Sequence, residues 1–382
     1  MIHSVWPYLA LMLLLAGLFP ALERRYRWRV FEVLPPIVLT YLLVTALAVL
    51  GLWQVNDEIR MAQATLVDRL VPALVFLLMI NCDLRAIFAL GPRVLAVFGC
   101  TAISLFVAFI VTYLLFRHWL PGDDWQPLAA LSGSWMGGTA NMIAVKQSIG
   151  MSDAHLAMSL LTDALCYSMW VAVLFSLART APAFNRWTRA VSSGDLVVSA
   201  PPTLGPTTPD SVLLWLGMAL AAAAGSAWLG QHLPVGGMIS PATWTILLAT
   251  VFGLIVAHTP LSRFPGAGGI SSAMLIAVVA VLASQSNFKG LGAAPVYLLC
   301  GVCIIAIHAL LLAMFARLFH FDLYLCGISS LAHIGGVAAT PVLAATYSRA
   351  LVPVGVLLAL LGYILGTGFG LLVATVLSRL AG

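Results

Sequence analysis

Two stretches of this 382-residue chain carry side chains that could hold a small polar solute in apolar surroundings. The first reads Leu131-Ser132-Gly133-Ser134-Trp135-Met136-Gly137-Gly138-Thr139-Ala140-Asn141-Met142. The second reads Ser329-Ser330-Leu331-Ala332-His333-Ile334-Gly335-Gly336-Val337-Ala338-Ala339-Thr340-Pro341. Each sets a Gly-Gly pair among hydroxyl, amide or imidazole groups. Glycine lets the backbone turn sharply and lets a ligand approach it closely. A helix that restarts after such a break aims its N–H groups at the break and favours an anion, while the free carbonyls of the arriving helix favour a cation. The candidate solute-binding residues are therefore Ser134, Gly137, Gly138, Thr139, Asn141, His333, Gly335, Gly336 and Thr340. Close helix packing is the competing explanation of the glycines. It does not require so many polar atoms beside them.

Asp163 offers a different chemistry. It lies about ten residues into the apolar stretch 153–178, with Ser159 and Tyr167 one helical turn to either side. A carboxylate at that depth is costly and usually functional. It is the candidate carrier of a coupling ion, sodium or a proton; the alternative is a buried structural partner for a basic residue. Asn81 and Asp83 end one apolar stretch and Asn287 ends another, and they are the secondary ion-site candidates. Asp68 and Arg69 read as an interfacial pair and His308 as a satisfied buried histidine. Lys146 either faces a solute anion or reaches to the surface. Cys300 and Cys303 read as packing residues, and the cysteines form no metal set. No organic cofactor or metal is expected.

The elements that must position these groups follow from composition. Hydrophobic residues make up 62% of the chain and charged residues 8%, with a mean hydropathy of +1.05. An ordinary soluble domain is about a quarter charged. The apolar runs are unbroken rather than alternating, so the expected fold is an all-α polytopic membrane protein and not a β-barrel. The clear spans are about 5–22, 31–53, 65–80, 93–116, 153–178, 211–230, 243–259, 268–284, 295–317 and 352–377. The first run is followed, not preceded, by basic residues, which argues against a cleaved signal and for an N-terminus outside. The two Gly-rich segments, about 126–149 and 324–347, remain. With a break at the middle, each arm reaches ~15–18 Å, about half the bilayer, so each tip falls near the midplane.

The chain reads as a first membrane repeat over 1–178, a polar, Pro/Gly-rich linker over 179–210, and a second repeat over 211–382. Gly137-Gly138-Thr139-Ala140 matches Gly335-Gly336-Val337-Ala338, Asp83-Leu84-Arg85 matches Asn287-Phe288-Lys289, and Gly91-Pro92 falls near Ala294-Pro295. Three landmarks in register argue for an internal repeat. If the Gly-rich segments cross fully, the 18 Lys/Arg divide evenly between the two sides. If both are re-entrant, each half has five spans, the halves invert, and 12 of the 18 fall on the side of Arg24 and the linker. The positive-inside rule favours this second arrangement and a cytoplasmic linker. The net charge of +5 is spread over helix ends, so it signals orientation and not nucleic acid.

From Gly133 to Met142 the sequence resembles the membrane family called domain of unknown function 819, and the resemblance covers nearly the whole chain. More distantly, the layout is similar to the cation:proton antiporter and anion transporter superfamily. Its sodium:glutamate and citrate symporters carry paired Gly-Gly re-entrant loops, matched here at Gly137-Gly138 and Gly335-Gly336. That resemblance implies a homodimer with a fixed scaffold and a moving transport domain, an elevator. No arginine lies close to either tip to bind a dicarboxylate.

The leading expectation is an ion-coupled secondary transporter, not an enzyme, in a bacterial cell membrane. Its solute is small, anionic or zwitterionic among the options, and is held at the two Gly-Gly breaks. A cation/proton antiporter is the close alternative, and an intramembrane enzyme or structural scaffold is the alternative of another class. No nucleotide loop, metal-protease motif or nucleophile–base set is legible, and the linker is too short for an ATPase domain.

Overall fold

A computed structural model describes every residue except 1, 27, 29, 34–35, 81–83, 121, 191–204, 236–239, 285–293, 349–350 and 382. The chain is all helical. In order, the helices longer than five residues are α1 (Val5–Tyr26), α2 (Pro36–Val49), α3 (Asp57–Met79), α4 (Pro92–Phe116), α5 (Gln126–Gly137), α6 (Thr139–Ile149), α7 (Asp153–Leu177) and α8 (Ala181–Thr188). They continue with α9 (Pro209–Gly230), α10 (Pro241–Ala257), α11 (Ala267–Ala283), α12 (Ala294–Phe319), α13 (Leu323–Ile334), α14 (Gly336–Tyr347) and α15 (Val352–Ala381). Among the described residues, seven stretches are long and apolar enough to cross a membrane. The apolar helices α2, α10 and α11 are shorter. Together they account for the ten spans expected from hydropathy.

Two boundaries differ from that expectation. The third span begins at Asp57 and not near 65, because Asn56 caps it by accepting a hydrogen bond from the Ile59 amide (2.9 Å). Asp57 and Glu58 then complement the positive end of the helix dipole. Hydropathy sees only the apolar remainder of this helix. Asp68 and Arg69 consequently sit in mid-helix, not at its entry. The second difference lies in the linker, whose first part forms α8. Pro182 suits its first turn, and a left-handed Arg189 (φ 55°) ends it.

The chain divides into two compact units, each drawing on both sequence halves. Unit 1 comprises Met1–Asn81, Lys146–Leu165 and Leu204–Pro295. Its centre is α3, packed against α9, α10 and α11. Small residues allow this: Ala73, Ala219, Ala223 and Ala249 are buried beside Phe76, Leu77 and Trp215. A Cβ added to Gly253 would stand 2.6 Å from the Phe76 carbonyl oxygen, so only glycine fits there. Away from that core, Gln63 donates to both the Tyr8 hydroxyl and Ser284 Oγ at 3.0 Å, all three buried.

Unit 2 comprises Cys82–Val145, Cys166–Thr203 and Val296–Gly382. It contains the second Gly-rich segment and the first as far as Val145, and each folds back on itself. A Cβ on Gly133 would stand 2.9 Å from the Val145 side chain and 3.1 Å from the Asn141 carbonyl oxygen. In an unbroken helix, positions 133 and 145 would be about 18 Å apart. The rings of Tyr324 and Tyr347, at opposite ends of the second segment, stack with centroids 4.6 Å apart. Both segments are therefore helical hairpins, α5–α6 and α13–α14.

The hairpins start from opposite ends of the continuous helix α12. Near its beginning, the Tyr297 hydroxyl donates to the carbonyl of Asp124, just before α5 (3.0 Å). Near its end, Arg317 donates to the Trp187 carbonyl. Beside it, the amide of Leu323, the first residue of α13, donates to Asn185 Oδ1 (2.9 Å).

Candidate functional site

The two hairpin tips meet on one face of α15. Gly362, Gly366 and Gly370 repeat every fourth residue there and so share a helix face. A side chain on Gly362 would collide with the Met136 carbonyl oxygen, the end of α5, and would reach within 3.5 Å of the Ala332 carbonyl oxygen in α13. On Gly366 it would press on the Asn141 amide and, at 2.9 Å, on the Gly137 Cα. On Gly370 it would stand 3.1 Å from the Gly133 Cα. The absence of side chains along this stripe lets backbone lie on backbone.

Both breaks turn through left-handed glycines, Gly138 (φ 84°) and Gly336 (φ 61°). An L side chain is strained in that conformation. Between them stands Tyr363. A Cβ on Gly138 would lie 3.0 Å from its ring and 3.7 Å from its hydroxyl, and one on Gly336 would lie 3.6 Å from the same hydroxyl. The tips thus face each other across one tyrosine. There the C-terminal ends of α5 and α13 and the N-terminal ends of α6 and α14 come together. Partial charges of both signs converge at one place.

Asn141 locks the first tip. Its Nδ2 donates to the Gly137 carbonyl (2.7 Å) and to the Tyr363 carbonyl (3.3 Å), and its Oδ1 accepts from the Thr367 hydroxyl (2.6 Å). Both amide hydrogens are used by the protein itself. Ser134 is buried one turn before the break, and its carbonyl accepts from the Gly138 amide (2.6 Å). Thr139 is half-buried and opens α6.

The second tip is held differently. Thr340 is fully buried and donates to the Gly336 carbonyl (2.6 Å). A Cβ on Gly335 would stand 2.9 Å from the Tyr167 ring. His333 is fully buried, with its ring 4.2 Å from that of Phe98. Its Nδ1 lies 2.8 Å from the Ser329 carbonyl oxygen, which can only accept, so Nδ1 carries the proton. Nε2 is then a bare acceptor, and it has no hydrogen-bond partner among the described residues.

Behind His333 lies a layer of paired polar groups. Trp170 Nε1 donates to Ser330 Oγ (2.9 Å), and Ser330 Oγ is 2.8 Å from His308 Nε2. His308 Nδ1 is 2.7 Å from Ser104 Oγ, whose own hydrogen goes to the Thr101 carbonyl (2.7 Å). Ser104 must therefore accept from Nδ1–H, and Ser330 must donate to Nε2. His308 is the satisfied buried histidine expected. Ser329 pairs with the Thr101 hydroxyl (2.8 Å), which itself donates to the Val97 carbonyl (2.8 Å).

Of the ion-site candidates, Asp163 is half-buried in α7, one turn before Tyr167, within the portion that belongs to unit 1. Asn81, Asp83 and Asn287 lie outside the described residues. Lys146 is mostly buried and pairs with Asp153 at 2.9 Å, so it does not simply reach to the surface. Among the described residues, no group of three or more His, Cys, Asp and Glu could hold a metal ion.

Tyr363, Thr367 and the glycine face of α15 escape a reading by hydropathy, which takes 352–377 as a plain span. Their signal was the spacing of Gly362, Gly366 and Gly370 in an apolar run.

The family model described as a protein of unknown function, DUF819, matches residues 10–380, so the chain belongs to that family. No curated protein matches it.

Proposed function

We propose that this DUF819 member is an ion-coupled secondary transporter whose small solute is held between the two hairpin tips of unit 2. The observation that carries this reading is the meeting of two broken helices at Tyr363. Interrupted helices that offer amides to an anion and carbonyls to a cation, at a common depth, are how secondary transporters bind in the bilayer. Irregular backbone inside a membrane protein also needs a reason, since it is tolerated only where it lines a cavity or is buried in protein. The tips lie against the central part of the 30-residue α15, consistent with a midplane site. Hairpins that start from opposite ends of α12 support an inverted repeat of five spans and one hairpin per half.

In this reading the first amides of α6 and α14 hold an anionic group of the solute. Thr139 and the Tyr363 hydroxyl orient it, and His333 Nε2 accepts one hydrogen bond from an N–H or O–H group elsewhere on the solute once the tips part. Asp163 couples the ion, and the protein is a homodimer in the cell membrane that works as an elevator, with a fixed scaffold and a moving transport domain. A cation/proton antiporter is the second reading, favoured by the half-buried Asp163 beside Tyr167.

The test is a thermal-shift screen of the purified protein against small acids and zwitterions, with and without sodium, followed by uptake of each hit into proteoliposomes. Specific binding raises the melting temperature. Gly138→Leu and Gly336→Leu should abolish solute binding, and Asp163→Asn should keep binding but abolish gradient dependence. Solute binding that survives Gly138→Leu would sink the tip site. A cation-for-proton exchange with no solute response would establish the second reading.

A further inference from the structure

Away from the tips, unit 2 carries a groove of about 560 Å³ at the end of α12. Its wall is an apolar stripe of Leu311, Met314, Phe315 and Leu318, the i, i+3, i+4, i+7 pattern of one helix face. Met314 is 57% and Leu318 66% exposed. The mouth is basic, formed by Arg189, Arg317 and His320 beside Trp187, and among the described residues no acidic side chain lines the groove.

The mouth is built, not incidental. Arg317 donates to the Trp187 carbonyl, and its guanidinium lies 5.8 Å from the centre of the Trp187 ring. His320 Nδ1 bonds the Thr188 carbonyl (2.8 Å), while the His320 carbonyl accepts from Arg93 (2.9 Å). Both Arg189 (φ 55°) and His320 (φ 59°) are left-handed, a strained state for residues with side chains. Neither Arg189 nor Arg317 has a carboxylate within ion-pair distance among the described residues.

We infer that this groove binds one anionic phospholipid, with the phosphate between Arg189 and Arg317 and an acyl chain along Leu311–Leu318. Two observations select a lipid over a soluble anion. The stripe extends ~10 Å from the charges, and a free phosphate ester would leave it uncovered. The stripe also belongs to a helix apolar enough to cross a membrane, so lipid tails are its natural medium. Basic pockets between membrane helices recognise anionic headgroups in this way.

Native mass spectrometry of the full chain in mild detergent tests the inference, using equimolar phosphatidylglycerol and phosphatidylcholine with the same acyl chains. The wild type should retain phosphatidylglycerol preferentially. Arg189→Gln should reduce that preference about fivefold, and Arg189→Gln with Arg317→Gln further. Arg317 also holds α8, so the single Arg189 variant, checked for an unchanged elution profile, is the decisive one. Met314→Gln, which leaves every charge in place, should weaken retention of the lipid too. Equal retention of the two lipids, or a preference that survives in Arg189→Gln, overturns the proposal. So does competition by millimolar glycerol phosphate, which would mark a soluble-anion site. A preference that emerges only after deletion of 191–204 would mean that this segment fills the groove, and it overturns the proposal as well.

Discussion

The two hairpins of unit 2 share a turn and differ in chemistry. Each breaks at a left-handed glycine against Tyr363. In the first, the polar side chain after the break, Asn141, gives both amide hydrogens to backbone carbonyls and its oxygen to Thr367. In the second, the polar side chain before the break, His333, keeps a buried acceptor with no partner among the described residues. One tip is tied to α15 by its own amide, while the other keeps a buried acceptor without a partner among the described residues. An unmet buried group costs about 1–3 kcal/mol, a cost more easily understood at a site of action than in a packing contact. Similarity of the two segments at the Gly-Gly level therefore does not carry over to the roles of their polar residues.

The comparison can be broken most forcefully at the surface the hairpins share. Gly362→Val places a branched side chain against the carbonyl ends of both arriving helices. Backbone cannot yield as a side chain can, so a loss of about 3 kcal/mol or more is expected. Size-exclusion and melting profiles in detergent should show aggregation or a strongly lowered transition. A wild-type profile would mean the tips do not meet on α15.

Asn141→Ala should come next. It removes three hydrogen bonds and strands the Thr367 hydroxyl, at roughly 2–3 kcal/mol. The melting temperature should fall, and whatever solute binding is measured should fall with it. A variant of unchanged stability would show that the first tip is not held by its amide.

His333→Phe should have the smallest effect on stability, within about 1 kcal/mol. The ring keeps its place against Phe98, and Ser329's carbonyl keeps its helical amide partner. Transport, in contrast, should be lost. If the Phe variant melts far below the wild type while still transporting, the histidine is structural and the contrast between the hairpins disappears.

Much of this was legible in the sequence. The Gly-Gly pairs marked both breaks, because few other residues reach the left-handed region without strain. Hydropathy located the spans, because nothing else in a chain so poor in charge can cross a membrane. What it missed were relations across distance. Asn141 was visible as a polar residue at a tip, but not that Thr367 and the Tyr363 carbonyl, far along the chain, would occupy its amide. The partner of Lys146 was not visible because Asp153 lies beyond the turn at Gly150 (φ 66°). Tyr363 itself gave no sign beyond the glycine spacing around it, since a tyrosine in an apolar helix is ordinary until the elements around it are known.

The polar layer behind His333 has a direction. Trp170 gives to Ser330, Ser330 to His308, His308 to Ser104, and Ser104 to the Thr101 carbonyl, so every hydrogen points the same way. Such a row is poled, like an electret. It ends on a carbonyl that cannot pass a proton on, and it begins on an indole that does not release one. A proton arriving at His308 would find both ring nitrogens occupied and would have to turn Ser330 away to stay. Oriented this way, the row behind the second tip offers no onward path to a proton that reaches His308.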